Sequence, residues 1–391
     1  MRPAALPELL RRIVPRVRAG APAAPPTSAN GIREEIADFG LTAERAGQLA
    51  AALEAEGHLV DAIAAWTAAN RLRRDHQIER RLARLRAAAM ACCDRSLPPP
   101  DWPPHIPTDA PGAKDWPPEI APGELTPGVL RNGILRHGSV LVRGLVSPRR
   151  AARLRAAIDQ AFGAYDASHE NHASDEIRTW FDPLEKLADG EAQRTWNRMN
   201  QSLFTADSPR ALFQVLETFY ELGIDRLLTM YFGECPALSV EKTTLRRVDP
   251  AGLAWAKRTE SETVNASGWH QDGAFLGPGI RTVDLWVALS DCGVTAPGMD
   301  IVPKRLDHLV RSGGPGAGFE WTVSETALAR ELAQVPIWSP TFAAGDALFI
   351  DHHTLHRTAV TPSMTGVRYA IENWFFAPSV YPESGSTPIV V

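Results

Sequence analysis

Cysteine is scarce in this sequence of 391 residues, which contains only four. Cys92 and Cys93 are adjacent, so a bond between them is sterically difficult, and Cys235 and Cys292 stand alone in the chain. None of the four has the spacing that is typical of zinc ligands. The cysteine content therefore excludes a disulfide-stabilised secreted scaffold and a zinc-finger protein.

The sequence also lacks long apolar runs and an excess of positive charge. No segment approaches the roughly 20 apolar residues of a membrane span, and the Arg-rich N-terminus has no continuous apolar stretch of signal-peptide type. Acidic residues outnumber basic ones by 46 to 41, which argues against nucleic acid as a partner. The hydrophobic fraction of 44% suffices for a sizeable core. We expect a soluble, cytoplasmic protein.

Composition divides the chain into four parts. Residues 1–30 are rich in Ala, Pro and Arg and are predicted to form a disordered tail. Residues 31–95 show helical periodicity, and residues 96–127 form a Pro-rich linker, because dense proline prevents helix interiors and central strands. Residues 128–391 begin with helices and become rich in strands after Cys235. This order predicts an α+β fold.

The segment 31–95 includes the stretch EGHLVDAIAAWTAANRL, which resembles the middle of a tetratricopeptide repeat. Gly57 would form the turn between two antiparallel helices. The packing positions of the second helix would be Ala62, Ile63, Trp66 and Ala69. A single repeat cannot form a solenoid, so a helical cap on the main domain is the favoured interpretation. A protein partner or self-association through these helices is the alternative.

The β-rich half contains the pattern His270-x-Asp272, within Trp269-His270-Gln271-Asp272 at the edge of a predicted strand. On an extended backbone these two side chains lie on the same side, because the direction of Cβ alternates with a period of two. An imidazole nitrogen and a carboxylate oxygen could then bind one ion. Alone, the pattern is weak, since it occurs by chance and is usually a surface pair.

A second pattern, GDALFIDHHTLHRTAV, predicts a turn at Gly345-Asp346 followed by a strand with a histidine near its far end. His356 is the favoured third ligand, with His352 and His353 as alternatives. Together with His270 and Asp272 it would complete a 2-His-1-carboxylate triad, which leaves coordination positions open for a bidentate co-substrate and O₂.

Arg368 follows His356 by twelve residues, on the next predicted strand. Its forked guanidinium could hold the far carboxylate of a dicarboxylic co-substrate, and the alternative is a solvated strand residue. An anionic substrate could be attracted by Arg246, Arg247, Lys242 and Arg178, although arginine on a strand flank is more often simply solvated.

These motifs resemble the phytanoyl-CoA dioxygenase-like branch of the Fe(II)/2-oxoglutarate oxygenases. The resemblance extends from Gly133 to Phe376 and includes, in the family's order, GSVLVRGLVSPRRAARLRAAI, RTWNRMNQSLFTADSP, WHQDG, LWVALSD, GDALFID and the final His and Arg. It implies a double-stranded β-helix, or jelly roll, that encloses the iron. Retention of the triad Asp disfavours a halogenase, in which a small residue in that place makes room for chloride.

The resemblance also implies roles for individual residues. The iron ligands would be His270, Asp272 and His356. Arg368 would pair with the C5 carboxylate of 2-oxoglutarate, and a hydroxyl at Thr358 would bond the same carboxylate. Trp286 would line the co-substrate pocket. For Thr358 and Trp286, ordinary packing within strands is an equal alternative.

The implied activity is hydroxylation of a small molecule, such as a secondary metabolite or a lipid-like compound, with release of succinate and CO₂. The cofactors would be Fe(II), 2-oxoglutarate and O₂. The alternatives are desaturation, epoxidation or cyclisation by the same residues, or a non-catalytic metal-binding jelly roll that acts as a sensor or scaffold. Many relatives have Pro-Gly-Ser-His where this chain has Pro303-Lys304-Arg305-Leu306-Asp307-His308, so the substrate does not follow from the resemblance.

Overall fold

A computed structural model of the chain describes residues 42–93, 116–170, 174–184, 190–256, 268–277, 279–332, 335–381 and 387–391. The predicted disordered tail and most of the predicted linker lie outside these ranges. Within them, no helix combines the length and the apolar character that a bilayer span requires.

The N-terminal part consists of three helices, α1 (Ala43–Ala55), α2 (Leu59–Leu72) and α3 (His76–Ala88). Gly57 separates the first two and has a φ of 79°, a left-handed conformation that glycine adopts without strain. The predicted helices and the turn between them are confirmed, and the four predicted packing positions of α2 are all buried. The likeness to a tetratricopeptide repeat stays a prediction.

These helices pack against the rest of the protein through α8 (Pro209–Leu222). Arg71 of α2 donates two hydrogen bonds to Glu217 of α8, at 2.7 and 2.8 Å. Glu79 of α3, with a side chain that is 0% exposed, accepts hydrogen bonds from Arg210 at 2.6 Å and from Asn70 at 3.1 Å. The contact is therefore both apolar and ionic, as expected for a helical cap.

The remaining helices flank a central sheet. They are α4 (Pro127–His137), α5 (Pro148–His169), α6 (Asp175–Trp180), α7 (Gly190–Met199), α9 (Ile224–Phe232), α10 (Gly273–Leu276) and α11 (Glu325–Glu331). Proline opens α4, α5 and α8, at a position where its missing N–H leaves no hydrogen bond unmade. The predicted helical segment after Ser208 divides into α8 and α9 at Gly223, which has a φ of 70°.

The central sheet has eight strands in the order β1-β2-β7-β5-β9-β4-β10, with β3 beside β4. They are β1 (Glu119–Ile120), β2 (Ser139–Val142), β3 (Ser202–Phe204), β4 (Ala237–Val248), β5 (Thr282–Ala288), β7 (Ala347–Ile350), β9 (Arg368–Phe376) and β10 (Pro388–Val390). The pairs are antiparallel except β1–β2. A mixed α+β architecture is confirmed, but β1 is a strand within residues predicted to be linker.

A smaller sheet faces the central one. Its two strands, β6 (Gly298–Ile301) and β8 (His356–Ala359), are extended by isolated bridges from His270 to His356 and from Ile301 to Trp338. Apolar side chains of both sheets form one buried cluster, which includes Leu141, Trp286, Leu348, Met299 and Ile301. The opposite face of the central sheet contributes to a larger cluster with helices such as α5 and α8. The candidate site lies in the space between the two sheets, which is called the inner space below.

Candidate metal centre

His270 and His356 are held opposite each other by the backbone of the smaller sheet. The N–H of each residue donates to the carbonyl of the other, at 2.9 and 3.0 Å. In an antiparallel pair, directly opposite residues point to the same side, and here the two imidazole rings lie 4.4 Å apart. The two rings therefore share one surface of the inner space.

The carboxylate of Asp272 lies beside both imidazole rings, but its backbone conformation differs from the predicted one. Its φ of −64° and ψ of −23° are helical, and it directly precedes α10. The prediction of an extended His-x-Asp segment is wrong for Asp272, because the chain turns into α10 after Gln271. The carboxylate still lies 3.8 Å from Nε2 of His270 and 3.6 Å from Nε2 of His356.

Hydrogen bonds to the backbone orient both imidazole rings. Nδ1 of His270 lies 2.7 Å from the carbonyl of Gly268, and Nδ1 of His356 lies 3.0 Å from the carbonyl of Thr354. A carbonyl only accepts, so each Nδ1 carries the proton and each Nε2 presents a lone pair toward Asp272. This is the tautomer that a metal ligand requires.

Burial shifts the pKa values of the group in opposite directions. Burial lowers the pKa of His270 to about 3, with the neighbouring His356 as the next cause. Burial raises the pKa of Asp272 to about 6. The Oδ2 atom of Asp272 is buried without a hydrogen-bond partner. A divalent cation would bond this oxygen and the two Nε2 lone pairs, so the donor set fits such an ion.

The three donor atoms all lie within 4.8 Å of one another. In the ranges that the structure describes, this is the one group of three or more His, Cys, Asp or Glu side chains that could hold a metal ion. The structure thus brings together the three predicted ligands. Their assignment to iron remains a prediction from the sequence.

The alternative histidines lie outside this group. Residues 351–355 form a turn between β7 and β8, so the single strand predicted to run to His356 is two strands with a turn between them. Nδ1 of His352 lies 3.1 Å from Oγ1 of Thr282, and Nδ1 of His353 donates to the carbonyl of Leu306 at 2.9 Å.

Arg368 begins β9 on the face of the central sheet that points toward the smaller sheet. It is only 2% exposed, and its guanidinium donates to the carbonyl of Gly298 at 3.0 Å. Its Nε is buried without a hydrogen-bond partner, and no carboxylate of the described residues forms an ion pair with it. Burial lowers the pKa of Arg368 to about 10, so the side chain is still charged at neutral pH. A buried cation without a counter-ion favours an anionic ligand at this point.

Trp286 and Thr358 lie near the same end of the inner space. Trp286 is 3% exposed and packs edge-on against Phe342, and the guanidinium of Arg368 lies 5.8 Å from its ring centre. Thr358 follows His356 by two residues on β8, and therefore points to the same side, opposite Met299 of β6. Packing against Phe342 explains Trp286 as well as a pocket role does.

Other polar and aromatic residues at the site escaped the sequence analysis. Asp284 and Glu372 are inward residues of β5 and β9, and burial together with the Glu372 carboxylate raises the pKa of Asp284. Glu372 pairs with Arg246 at 2.6 Å. Trp321 makes a T-shaped contact with His270, with ring centres 4.9 Å apart. Charged residues in otherwise apolar strands were the available signal for the first two, whereas nothing local in the sequence marks Trp321.

Comparison with known proteins gives one family match. A family described as phytanoyl-CoA dioxygenase (PhyH) matches residues 134–363. No curated protein matches the sequence.

Several solved structures are similar at low sequence identity. AviO1 from Streptomyces viridochromogenes Tue57 is 17% identical, with a TM-score of 0.40, covering 66% of this chain and 98% of its own. SnoK, an α-ketoglutarate-dependent carbocyclase from nogalamycin biosynthesis, is 16% identical, with a TM-score of 0.41, covering 69% of this chain and 98% of its own. EvdO2 from Micromonospora carbonacea var. aurantiaca, complexed with 2-oxoglutarate, is 14% identical, with a TM-score of 0.38, covering 67% of this chain and 91% of its own.

Proposed function

This chain belongs to the phytanoyl-CoA dioxygenase family of Fe(II)/2-oxoglutarate-dependent oxygenases, and we propose that it hydroxylates a small organic molecule. The family uses Fe(II), 2-oxoglutarate and O₂. The observation that carries the proposal is Arg368, a buried guanidinium that has no ion-pair partner among the described residues and shares the inner space with a metal-ligand group. A metal site alone would not require such a cation, whereas a dicarboxylic co-substrate does.

In this proposal, His270, Asp272 and His356 hold the iron. Their Nε2 and carboxylate atoms converge on one point, and the Nδ1 bonds to the backbone keep both rings in the binding orientation. Three protein ligands leave positions for the co-substrate and O₂. The two facing sheets would form the double-stranded β-helix that the sequence resemblance implies.

Arg368 holds the C5 carboxylate of 2-oxoglutarate at the closed end of the inner space. Gly298 fixes one nitrogen of the guanidinium, and the remaining N–H groups are available for a forked pair with the carboxylate. Trp286 forms a wall beside Arg368 that excludes water, and Thr358 supplies a hydroxyl from the facing sheet. Exclusion of water strengthens the pairing, because charges interact more strongly in a medium of low dielectric constant.

An iron ion held by the three ligands would supply the oxidative decarboxylation of 2-oxoglutarate, in which one atom of O₂ enters succinate and the other enters the hydroxylated product. The protein residues position the reactants and keep the site dry. Desaturation, epoxidation or cyclisation would use the same residues with a different substrate position. A non-catalytic sensor or scaffold is disfavoured by the buried charge of Arg368, which no carboxylate in the described part of the chain pairs with.

The test is conversion of 2-oxoglutarate to succinate by the purified protein with Fe(II) and O₂, measured by chromatography. We expect succinate from the wild type and none from Asp272→Ala, which removes the carboxylate ligand. His353→Ala is the matched control, because its Nδ1 is engaged by Leu306 outside the metal group. Equal succinate from the wild type and Asp272→Ala would refute the proposal.

A further inference from the structure

A line of aromatic rings leads from the protein surface to the candidate metal centre. Trp196 of α7 is 46% exposed and meets Phe319 edge-on, with ring centres 6.1 Å apart. Phe319 stacks parallel to Trp321 at 5.2 Å, and Trp321 makes a T-shaped contact with His270 at 4.9 Å. Aromatic surface of this extent beside a site commonly marks the place where a ligand binds.

Phe275 joins this line to a lysine. The Phe275 ring is 42% exposed, and its centre lies 6.3 Å from that of Trp321. The Nζ of Lys242 lies 4.4 Å from the centre of the same ring, a cation–π contact. Phe275 therefore places the indole of Trp321 and the ammonium of Lys242 on one side of the metal centre.

Lys242 has no counter-ion of its own. In the described part of the chain no carboxylate lies within ion-pair distance of it, whereas Arg246, the other inward cation of β4, pairs with Glu372 at 2.6 Å. An ammonium that is partly removed from water and unpaired attracts an anionic group. Phe275 contacts the cation. Three carboxylates act on it only from beyond ion-pair distance, those of Asp272, Glu372 and Glu241.

Lys242 and Arg368 serve different parts of the inner space. Val248 of β4 is the partner of Arg368 in the sheet, and Lys242 lies six residues further along β4. At about 3.3 Å per residue, this separates the backbone positions of the two residues by roughly 20 Å along the sheet. Arg368 thus marks the closed end, and Lys242 marks the aromatic mouth. One dicarboxylic co-substrate does not occupy both.

We propose that the substrate is a planar aromatic acid, whose ring system packs on Trp321 and whose acid group pairs with Lys242. This inference rests on the proposed oxygenase function and names the substrate class of that site. Phe319 already covers one face of Trp321, and a flat, rigid ring on the other face would extend this stack, whereas a flexible acyl chain gains less from stacking and loses more conformational entropy.

The experiment is calorimetric titration of three probes into the full chain loaded with Fe(II) and 2-oxoglutarate under argon. The probes are 2-naphthoate, its saturated counterpart decalin-2-carboxylate, and the uncharged 2-naphthylmethanol. Occupancy by 2-oxoglutarate is measured separately from the metal-to-ligand charge-transfer absorbance. Absence of that band would refute the proposed function. A normal band without naphthoate binding would overturn the present inference alone.

Two variants test separately how the protein recognises the aromatic ring and the acid group of the ligand. Lys242→Met should weaken 2-naphthoate roughly ten- to a hundredfold, as expected for a charge-assisted bond, and leave 2-naphthylmethanol unchanged. Trp321→Leu should weaken both aromatic probes. The controls are Lys304→Met and Trp116→Leu, at exposed positions away from the described aromatic line, and neither should change binding.

The results that contradict the inference are equally specific. If decalin-2-carboxylate binds as tightly as 2-naphthoate, the site does not select a planar ring. If Lys242→Met binds 2-naphthoate like the wild type while its charge-transfer band is normal, the lysine does not recognise the acid.

Discussion

Replacement of Arg368 by alanine should weaken 2-oxoglutarate binding and spare iron binding. The guanidinium is 2% exposed and has no carboxylate partner among the described residues, so the co-substrate would supply its counter-ion. Removal of one partner of a buried ion pair costs about 3–5 kcal/mol. At about 1.4 kcal/mol per tenfold, affinity should fall roughly a hundred- to several-thousandfold.

The assay is an anaerobic titration of 2-oxoglutarate into the Fe(II) protein, followed by the charge-transfer absorbance. Arg368→Lys should recover only part of the affinity, because an ammonium keeps the charge but lacks the fork. Arg247→Ala is the matched control, since Arg247 lies on the other face of the same sheet, near Asp159. An unchanged midpoint in Arg368→Ala would refute the role of this residue and most of the argument for the co-substrate.

Three further predictions concern metal retention, pH and the helical cap. Metal analysis should find that His356→Ala loses iron and His353→Ala retains it. The opposite result would show that the assignment of His356 as the third iron ligand is wrong. Asp272 has its pKa raised to about 6 from 3.8, so its protonated form stabilises the metal-free fold at low pH, and that contribution is lost as the pH rises through 6. The melting temperature of metal-free Asp272→Asn should therefore exceed that of the wild type above pH 6, and the difference should vanish near pH 4. A difference in melting temperature that does not depend on pH would contradict this. Glu79→Ala should lower the free energy of unfolding by about 3–5 kcal/mol, because the buried Asn70 and the partly buried Arg210 lose their acceptor, whereas the exposed Glu56→Ala changes it little. Equal effects in urea denaturation would show that the cap contact adds no stability.

The strands around the site could be predicted because their sequences carry the signal locally. Most residues of β5 and β9 are apolar or β-branched, and turns bound both strands, whereas β4 alternates stretches of buried and polar residues. The order of the motifs then placed His270, His356 and Arg368 in one domain. The structure brings the two histidines together through a single pair of backbone hydrogen bonds.

Other features depend on contacts between residues that are distant in the sequence. The helical turn at Asp272 follows from the start of α10, which a His-x-Asp pattern does not reveal. The strand β1 forms only because Glu119 and Ile120 pair with β2, against the strong local effect of proline. Trp321 reaches His270 from a separate loop, so its place beside the metal ligands is a property of the tertiary structure.

The attachment of the N-terminal helices is also non-local. Phe213 of α8 belongs to the same buried cluster as Trp66 and Leu82, although these residues are far apart in the chain. The sequence indicated helices and a turn, but the ionic contacts to α8 follow only from the fold. The use of the remaining surface of these helices by a protein partner stays a prediction, as does the cytoplasmic location.

The most direct test of the account is the fate of molecular oxygen during turnover. The Fe(II) protein is incubated with 2-oxoglutarate under oxygen-18 gas, and the succinate formed is analysed by mass spectrometry. The account predicts succinate that carries one oxygen-18 atom, and its absence in the variant Asp272→Ala. Succinate without the label, or no succinate from protein that binds both iron and 2-oxoglutarate, would contradict it.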